Sequence, residues 1–211
     1  MTEQNFSSMR AAMVESQLRT SDVDDQRVIA AMAQVPRERF VPAERRAMAY
    51  VDRSVPLGDG RALNPPLATG RLLSELRIQP GEKVLLIGAA TGYAAALLSA
   101  MGAVVTAVEE EAGPCAGDQP GVTQVRGLLA AGAAAGAPYD ILLVDGAIAD
   151  LPAALVDQLG EGGRIATGIV ERGVTRLCTG RKAGGTFGLA SLADIEMVVL
   201  PGFSKPERFV F

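Results

Sequence analysis

Lys83-Val84-Leu85-Leu86-Ile87, the loop Gly88-Ala89-Ala90-Thr91-Gly92, an alanine-rich run from Tyr93, and then Val104-Val105-Thr106-Ala107-Val108-Glu109 form the stretch that decides the fold of this chain. The first run lacks polar alternation, the pattern of a strand buried on two faces of a parallel sheet, and the second reads as another strand. The segment between them reads as the crossover helix that a parallel neighbour requires. The small loop residues let a ligand approach the backbone, and a helix beginning at Thr91 presents free N–H groups. Glu109 stands roughly 20 residues beyond Gly88, where a carboxylate accepts hydrogen bonds from a ribose diol. The strict pattern Gly-x-Gly-x-x-Gly is absent, because Ala90 occupies the place of its second glycine. This looser form suits S-adenosylmethionine better than NAD, although Glu109 would serve the ribose of either.

At 211 residues the chain can bury a full core. One domain is expected over 1–211, with residues 1–80 as an N-terminal helical segment and substrate lip and residues 81–211 as the core. The 48% apolar content is spread in short runs, none near the ~20 residues that span a bilayer. With a polar opening at Met1-Thr2-Glu3-Gln4-Asn5 and the widely separated Cys115 and Cys178, a cytoplasmic protein with free thiols is expected, without membrane association or a metal site. A net charge of −4 gives no reason to expect nucleic-acid binding. The composition carries no histidine, which excludes Ser-His-Asp and Cys-His nucleophiles and imidazole acid–base chemistry. Methyl transfer to a carboxylate fits that restriction, since a carboxyl group with a pKa of ~4 is already ionised at pH 7.

Residues 8–35 read as helical, with Ser21 or Asp22 capping a second helix that Pro36 ends. The turn-rich segment from Tyr50 to Pro66 is a lip over the cofactor face, and a helix over Ala68–Ile78 is stopped by Pro80-Gly81. Glu110–Gly121 is rich in glycine and proline and predicts an irregular crossover. Further strands are expected at Val122–Val125, Tyr139–Val144 and Arg164–Val170, with a helix capped by Asp150 before the last. Thr175–Thr179 and Ile195–Leu200, with Gly184-Gly185 between them, predict an antiparallel hairpin at the sheet edge. Asp145 either caps a turn or faces substrate, and Tyr93 reads as a helix-packing residue.

Met13-Val14-Glu15-Ser16-Gln17-Leu18-Arg19, Asp25–Met32, Val35-Pro36-Arg37-Glu38-Arg39-Phe40-Val41-Pro42, Ala49-Tyr50 and Pro56-Leu57-Gly58 follow one another in an order and spacing that resembles the protein-L-isoaspartate O-methyltransferase family. The similarity extends from about residue 9 through Pro138-Tyr139-Asp140, and Leu200–Pro206 resembles one branch of that family. The resemblance implies an α/β, Rossmann-like S-adenosylmethionine-dependent methyltransferase fold, mostly parallel, with a C-terminal antiparallel hairpin. It implies methyl transfer from S-adenosylmethionine to the α-carboxylate of isoaspartyl residues in damaged peptides or proteins.

It also implies roles. Gly88, Ala89, Ala90 and Gly92 shape the cofactor loop, Glu109 holds the ribose and Leu128 forms an apolar adenine wall. Asn64, Pro66 and Leu67 form the substrate lip, with Asn64 in the place of the family's reaction-centre serine. The chain departs from the family at Asn64-Pro65-Pro66 for Ser-Gln-Pro, at Leu86 and Ala90 in the glycine loop, and at Gly127-Leu128-Leu129 for Gly-Asp-Gly. These departures leave open a methyltransferase with another acceptor, or a binding or assembly module with impaired catalysis.

Overall fold

A computed structural model describes residues 3–110 and 119–203. Helix α1 (Glu3–Met13) runs into a π-helical turn over Val14–Leu18, and helix α2 (Gln26–Gln34) follows. The cap of α2 is Asp25, whose carboxylate accepts the Arg27 N–H at 2.9 Å, in place of the expected Ser21 or Asp22. Asp22 instead takes a left-handed φ of 58° in the connecting turn. Val28, Ile29, Ala31 and Met32 form the buried stripe of α2. The lip is a two-stranded antiparallel sheet, β1 (Val55–Gly58) and β2 (Arg61–Leu63), separate from the main sheet.

Helix α3 (Pro66–Leu76) starts with proline in its first turn and ends at a left-handed Arg77, before the expected stop at Pro80-Gly81. Strand β3 (Lys83–Ile87), helix α4 (Tyr93–Ala100) and strand β4 (Val104–Glu109) form the central crossover unit. The helix begins after a left-handed Gly92 rather than at Thr91, whose hydroxyl donates to the Phe40 carbonyl at 2.6 Å. Strands β5 (Val122–Arg126) and β6 (Tyr139–Ile148), helix α5 (Ala153–Asp157), and strands β7 (Leu159–Glu171), β8 (Val174–Ala183) and β9 (Thr186–Asp194) complete the order. The cap of α5 is Pro152, while Asp150 accepts the Leu151 N–H just before it.

The main sheet has seven strands in the order β5-β4-β3-β6-β7-β8-β9, parallel from β5 to β7 and antiparallel beyond. Alternation along β3 divides the interior. Val84 and Leu86 join the core beneath the N-terminal helices and α4, whereas Leu85 and Ile87 join the opposite core with Leu155, Leu200 and Phe203. This is the Rossmann-like architecture that the buried strand runs imply, with the antiparallel hairpin at one edge.

The hairpin's composition differs from expectation. Gly184 and Gly185 both adopt positive φ, so the chain reverses in a tight turn and pairs β8 with the residues that follow at once, Thr186–Asp194. The apolar run 195–200 is freed to cross back over β6. Ala147 N–H donates to Val198 at 2.7 Å, and Leu200 N–H donates to Ala147 at 2.8 Å. Most of the Glu110–Gly121 crossover, Cys115 and the Ser204–Pro206 tail lie outside the described residues.

Candidate active site

The turn after β3 is built from left-handed backbone: φ is 78° at Gly88, 48° at Ala90 and 90° at Gly92. Gly88 and Ala89 N–H groups both donate to the Val108 carbonyl, at 3.1 and 3.2 Å, which ties the turn to the end of β4. A Cβ on Gly88 would stand 2.7 Å from Leu200 Cδ1, so close packing as well as φ requires glycine there. Ala90 adopts the left-handed geometry with a side chain, which makes it a strained residue in the loop.

Glu109, last in β4, closes this corner. Its Oε2 accepts the Ala90 N–H at 2.6 Å and the Arg61 Nη2 at 2.6 Å, while Oε1 accepts the Glu110 N–H at 3.1 Å. Above it lies a cavity of about 660 Å³, lined by Phe40, Val41, Leu57, Arg61, Ala90 and Glu109 among others. The cavity sits at the carboxyl ends of β3 and β4, where ligands bind in open parallel sheets.

A buried polar cluster lies at the neighbouring carboxyl end of β6. The register of β6 against β7 shifts between Leu143 and Ala147, and Asp145 sits in that irregularity. Asn64 is 1% exposed. Its amide donates to Asp145 Oδ1 at 2.8 Å and accepts the Val198 N–H at 2.8 Å, while its backbone carbonyl accepts Arg37 Nη2 at 2.5 Å. Arg37 is fully buried, also donates to the Ala49 carbonyl at 2.6 Å, and lies 4.8 Å over the Tyr93 ring. Burial raises the Asp145 carboxyl above its ordinary value, opposed by the Asn64 amide and the charges of Arg37 and Arg61. Burial likewise pushes the Tyr93 hydroxyl up to about 12 and lowers Arg37.

The structure thus gathers Ala90 and Glu109 on one cavity, with Gly88, Ala89 and Gly92 forming the turn beside it. It does not bring Asn64, Pro66 or Leu67 onto that lining. Asn64 is locked between β6 and the 195–200 segment, Pro66 opens α3, and Leu67 donates its N–H to Asp52 at 3.0 Å. Leu128 is 70% exposed and outside the lining, although the adjacent Gly127 N–H donates to the Glu109 carbonyl at 3.1 Å. Sequence reasoning missed Arg61. The turn Gly58-Asp59-Gly60 announces the hairpin, but nothing local pairs the arginine after it with Glu109. Among the described residues there is no cluster of three or more His, Cys, Asp or Glu side chains able to hold a metal ion.

Comparison with known proteins gives the chain its family and its fold relatives. The family model for protein-L-isoaspartate(D-aspartate) O-methyltransferase matches residues 8–114 and 117–202. A protein-L-isoaspartate O-methyltransferase of Koribacter versatilis (strain Ellin345) is 36% identical over 205 residues, covering 93% of this chain and 92% of that protein. One from Roseiflexus castenholzii (strain DSM 13941 / HLO8) is 35% identical over 206 residues, covering 94% of each. A solved protein-L-isoaspartate O-methyltransferase superposes with a TM-score of 0.77 at 22% identity, over 92% of this chain and 66% of that one. A structure from Plasmodium falciparum, described as a protein of this kind in complex with S-adenosyl-L-homocysteine, gives 0.71 at 20% identity over 92% and 97%. These two show the shared fold. On the family match and the sequence identity, the chain belongs to the protein-L-isoaspartate(D-aspartate) O-methyltransferase family.

Proposed function

We propose that this chain is an S-adenosylmethionine-dependent carboxyl O-methyltransferase acting on the α-carboxylate of isoaspartyl residues in damaged peptides and proteins. The observation that carries it is the Glu109 carboxylate, set against the Ala90 N–H at the floor of the 660 Å³ cavity. The residues fit the cofactor: a carboxylate ends the second parallel strand, a left-handed turn ends the first, and the space between them is open. S-adenosylmethionine supplies an electrophilic methyl group on a sulfonium sulfur.

Glu109 holds the ribose diol, Gly88, Ala89, Ala90 and Gly92 keep the loop backbone low beneath the ligand, and Leu128, exposed outside the lining, would have to turn inward beside Gly127 to give adenine an apolar face. Asn64, Pro66 and Leu67 support the substrate lip, Asn64 as a positioning residue acting through Asp145. The acceptor oxygen needs no base, because an α-carboxylate is ionised at neutral pH. Tyr93, with its hydroxyl raised to about 12, remains protonated and supplies none. The chain's work is alignment of acceptor oxygen and methyl group and exclusion of water. The methyl ester can expel methoxide where the free carboxylate could not expel oxide, so the neighbouring amide nitrogen attacks the ester carbonyl, gives up its proton and closes to a succinimide with release of methanol, and water reopens the ring partly as aspartate. Among the described residues no helix is long and apolar enough to cross a membrane. The cytoplasm is the compartment we propose, on the two widely spaced cysteines of the sequence.

Calorimetric titration with S-adenosylhomocysteine tests the site. Wild type binds, and Glu109→Ala weakens binding by about 3 kcal/mol, of the order of 100-fold, since charge-assisted hydrogen bonds to the diol are lost. Equal affinity in the two proteins would remove Glu109 from the site. No binding by wild type would favour the non-enzymatic module.

A further inference from the structure

Arg61 presents a feature that the cofactor reading leaves unused. Its Nη2 bonds the same Glu109 oxygen that accepts the Ala90 N–H, so both oxygens of that carboxylate are already engaged. Its Nε and Nη1 are buried with no hydrogen-bond partner. A guanidinium is always charged and carries five donors, so this side chain lines the cavity with two donors unsatisfied just behind its surface. It is carried by β2, in a small sheet of its own that shares no strand pairing with the main sheet.

We propose that Arg61 is the residue that binds the carboxylate of the methyl acceptor, and that exchange at Glu109 makes it available. The inference rests on the function proposed above. Asp59, Glu109 and Glu110 line the same cavity with Arg39 and Arg61 as its two cations, and Arg61 is the one bonded directly to the Glu109 carboxylate. When Glu109 turns its Oε2 to a ribose diol, Arg61 loses its directly bonded carboxylate and keeps only the more distant charge of Asp145. A partly buried cation without a hydrogen-bonded anion is disfavoured, and an incoming carboxylate relieves that cost. A carboxylate matches its planar fork, whereas a neutral side chain leaves those donors unsatisfied. Arg61 thereby couples the two ligands: occupancy of the Glu109 site raises acceptor affinity, and by linkage the acceptor raises affinity there by the same factor.

The test is calorimetry and steady-state kinetics on wild type, Arg61→Gln and Arg61→Lys, each checked for an unchanged melting profile. S-adenosylhomocysteine is titrated into each protein, and an isoaspartyl peptide is titrated with and without saturating S-adenosylhomocysteine. In wild type, S-adenosylhomocysteine tightens peptide binding. Arg61→Gln binds S-adenosylhomocysteine about threefold to tenfold more tightly, because the competing cation is gone. It binds peptide in the presence of S-adenosylhomocysteine at least tenfold more weakly, with KM raised to match. Arg61→Lys, keeping charge without the fork, falls between. Unchanged peptide affinity and KM in an Arg61→Gln protein that methylates normally would overturn the role of Arg61 alone. A wild-type protein that binds S-adenosylhomocysteine but neither binds nor methylates the peptide would overturn the acceptor reading, and the Arg61 inference with it.

Discussion

Replacing Asn64 by alanine tests whether that side chain is a structural latch. The amide joins three parts of the fold: the end of the lip, the irregularity in β6 at Asp145, and the 195–200 segment at Val198. Truncation leaves the Val198 N–H without its acceptor, a cost of about 1–2 kcal/mol for a buried neutral donor. It also strips the amide from the Asp145 carboxylate, which is 6% exposed, at about 1.5–3 kcal/mol for a bond to a charged group. The sum is about 2.5–5 kcal/mol, a large fraction of the roughly 5–15 kcal/mol typical of a folded domain. With a urea slope of about 2 kcal/mol/M, the unfolding midpoint falls by roughly 1.3–2.5 M. Equilibrium urea denaturation followed by circular dichroism measures it directly. A double-mutant cycle with Asp145→Ala should show a coupling of about 1 kcal/mol or more, because the groups touch. A midpoint shift under ~0.5 M, or a coupling near zero, would refute the latch.

Ala90→Gly relieves a non-glycine residue at φ 48°. The gain from lost strain exceeds the entropic cost of glycine, so stability rises by about 0.5–1 kcal/mol and Tm by roughly 1–3 °C; a lower Tm would show that the alanine methyl packs productively. Asp145 is raised above 3.8 by burial, so between that value and its folded pKa the native chain holds a proton that the unfolded chain has released. Its contribution to stability therefore declines as pH rises through that interval, and Asp145→Asn removes the decline. Denaturation midpoints of the two proteins from pH 4 to 7 check this, and parallel curves would contradict it. Because no histidine is present and the acceptor is already ionised, kcat at saturating substrates should be flat from about pH 6 to 9. An inflection near neutrality would demand a base that this account lacks.

The central architecture was legible because Val84–Ile87 is an unbroken apolar run, the mark of a strand covered on both faces, and the mostly apolar Val104–Val108 follows at crossover distance; β3 and β4 fall there, β3 buried from Val84 onward and β4 less so at Val104 and Thr106. The left-handed geometry at Gly88 and Gly92 follows from the same tight turn. The hairpin was only half legible. Ile195–Leu200 is the more apolar run, yet turn geometry assigns the pairing to Thr186–Asp194, because a short glycine turn leaves no slack for a later strand. The resemblance implies a reaction-centre place for Asn64, but its environment depends on Val198, 134 residues away, a long-range contact that no local pattern reports. Arg61 was hidden for the same reason, since its partner Glu109 lies on a different sheet. Arg37 was visible only as one word of a motif, while its full burial beneath Asn64 and against Tyr93 is a tertiary fact.

The most direct measurement is methyl transfer from labelled S-adenosylmethionine to a peptide containing one isoaspartyl residue, run beside the same peptide with ordinary aspartate. The account predicts a base-labile methyl ester on the isoaspartyl peptide and at most a trace on the aspartyl one. Equal labelling of both peptides, or of neither by a protein that binds S-adenosylhomocysteine, would contradict it.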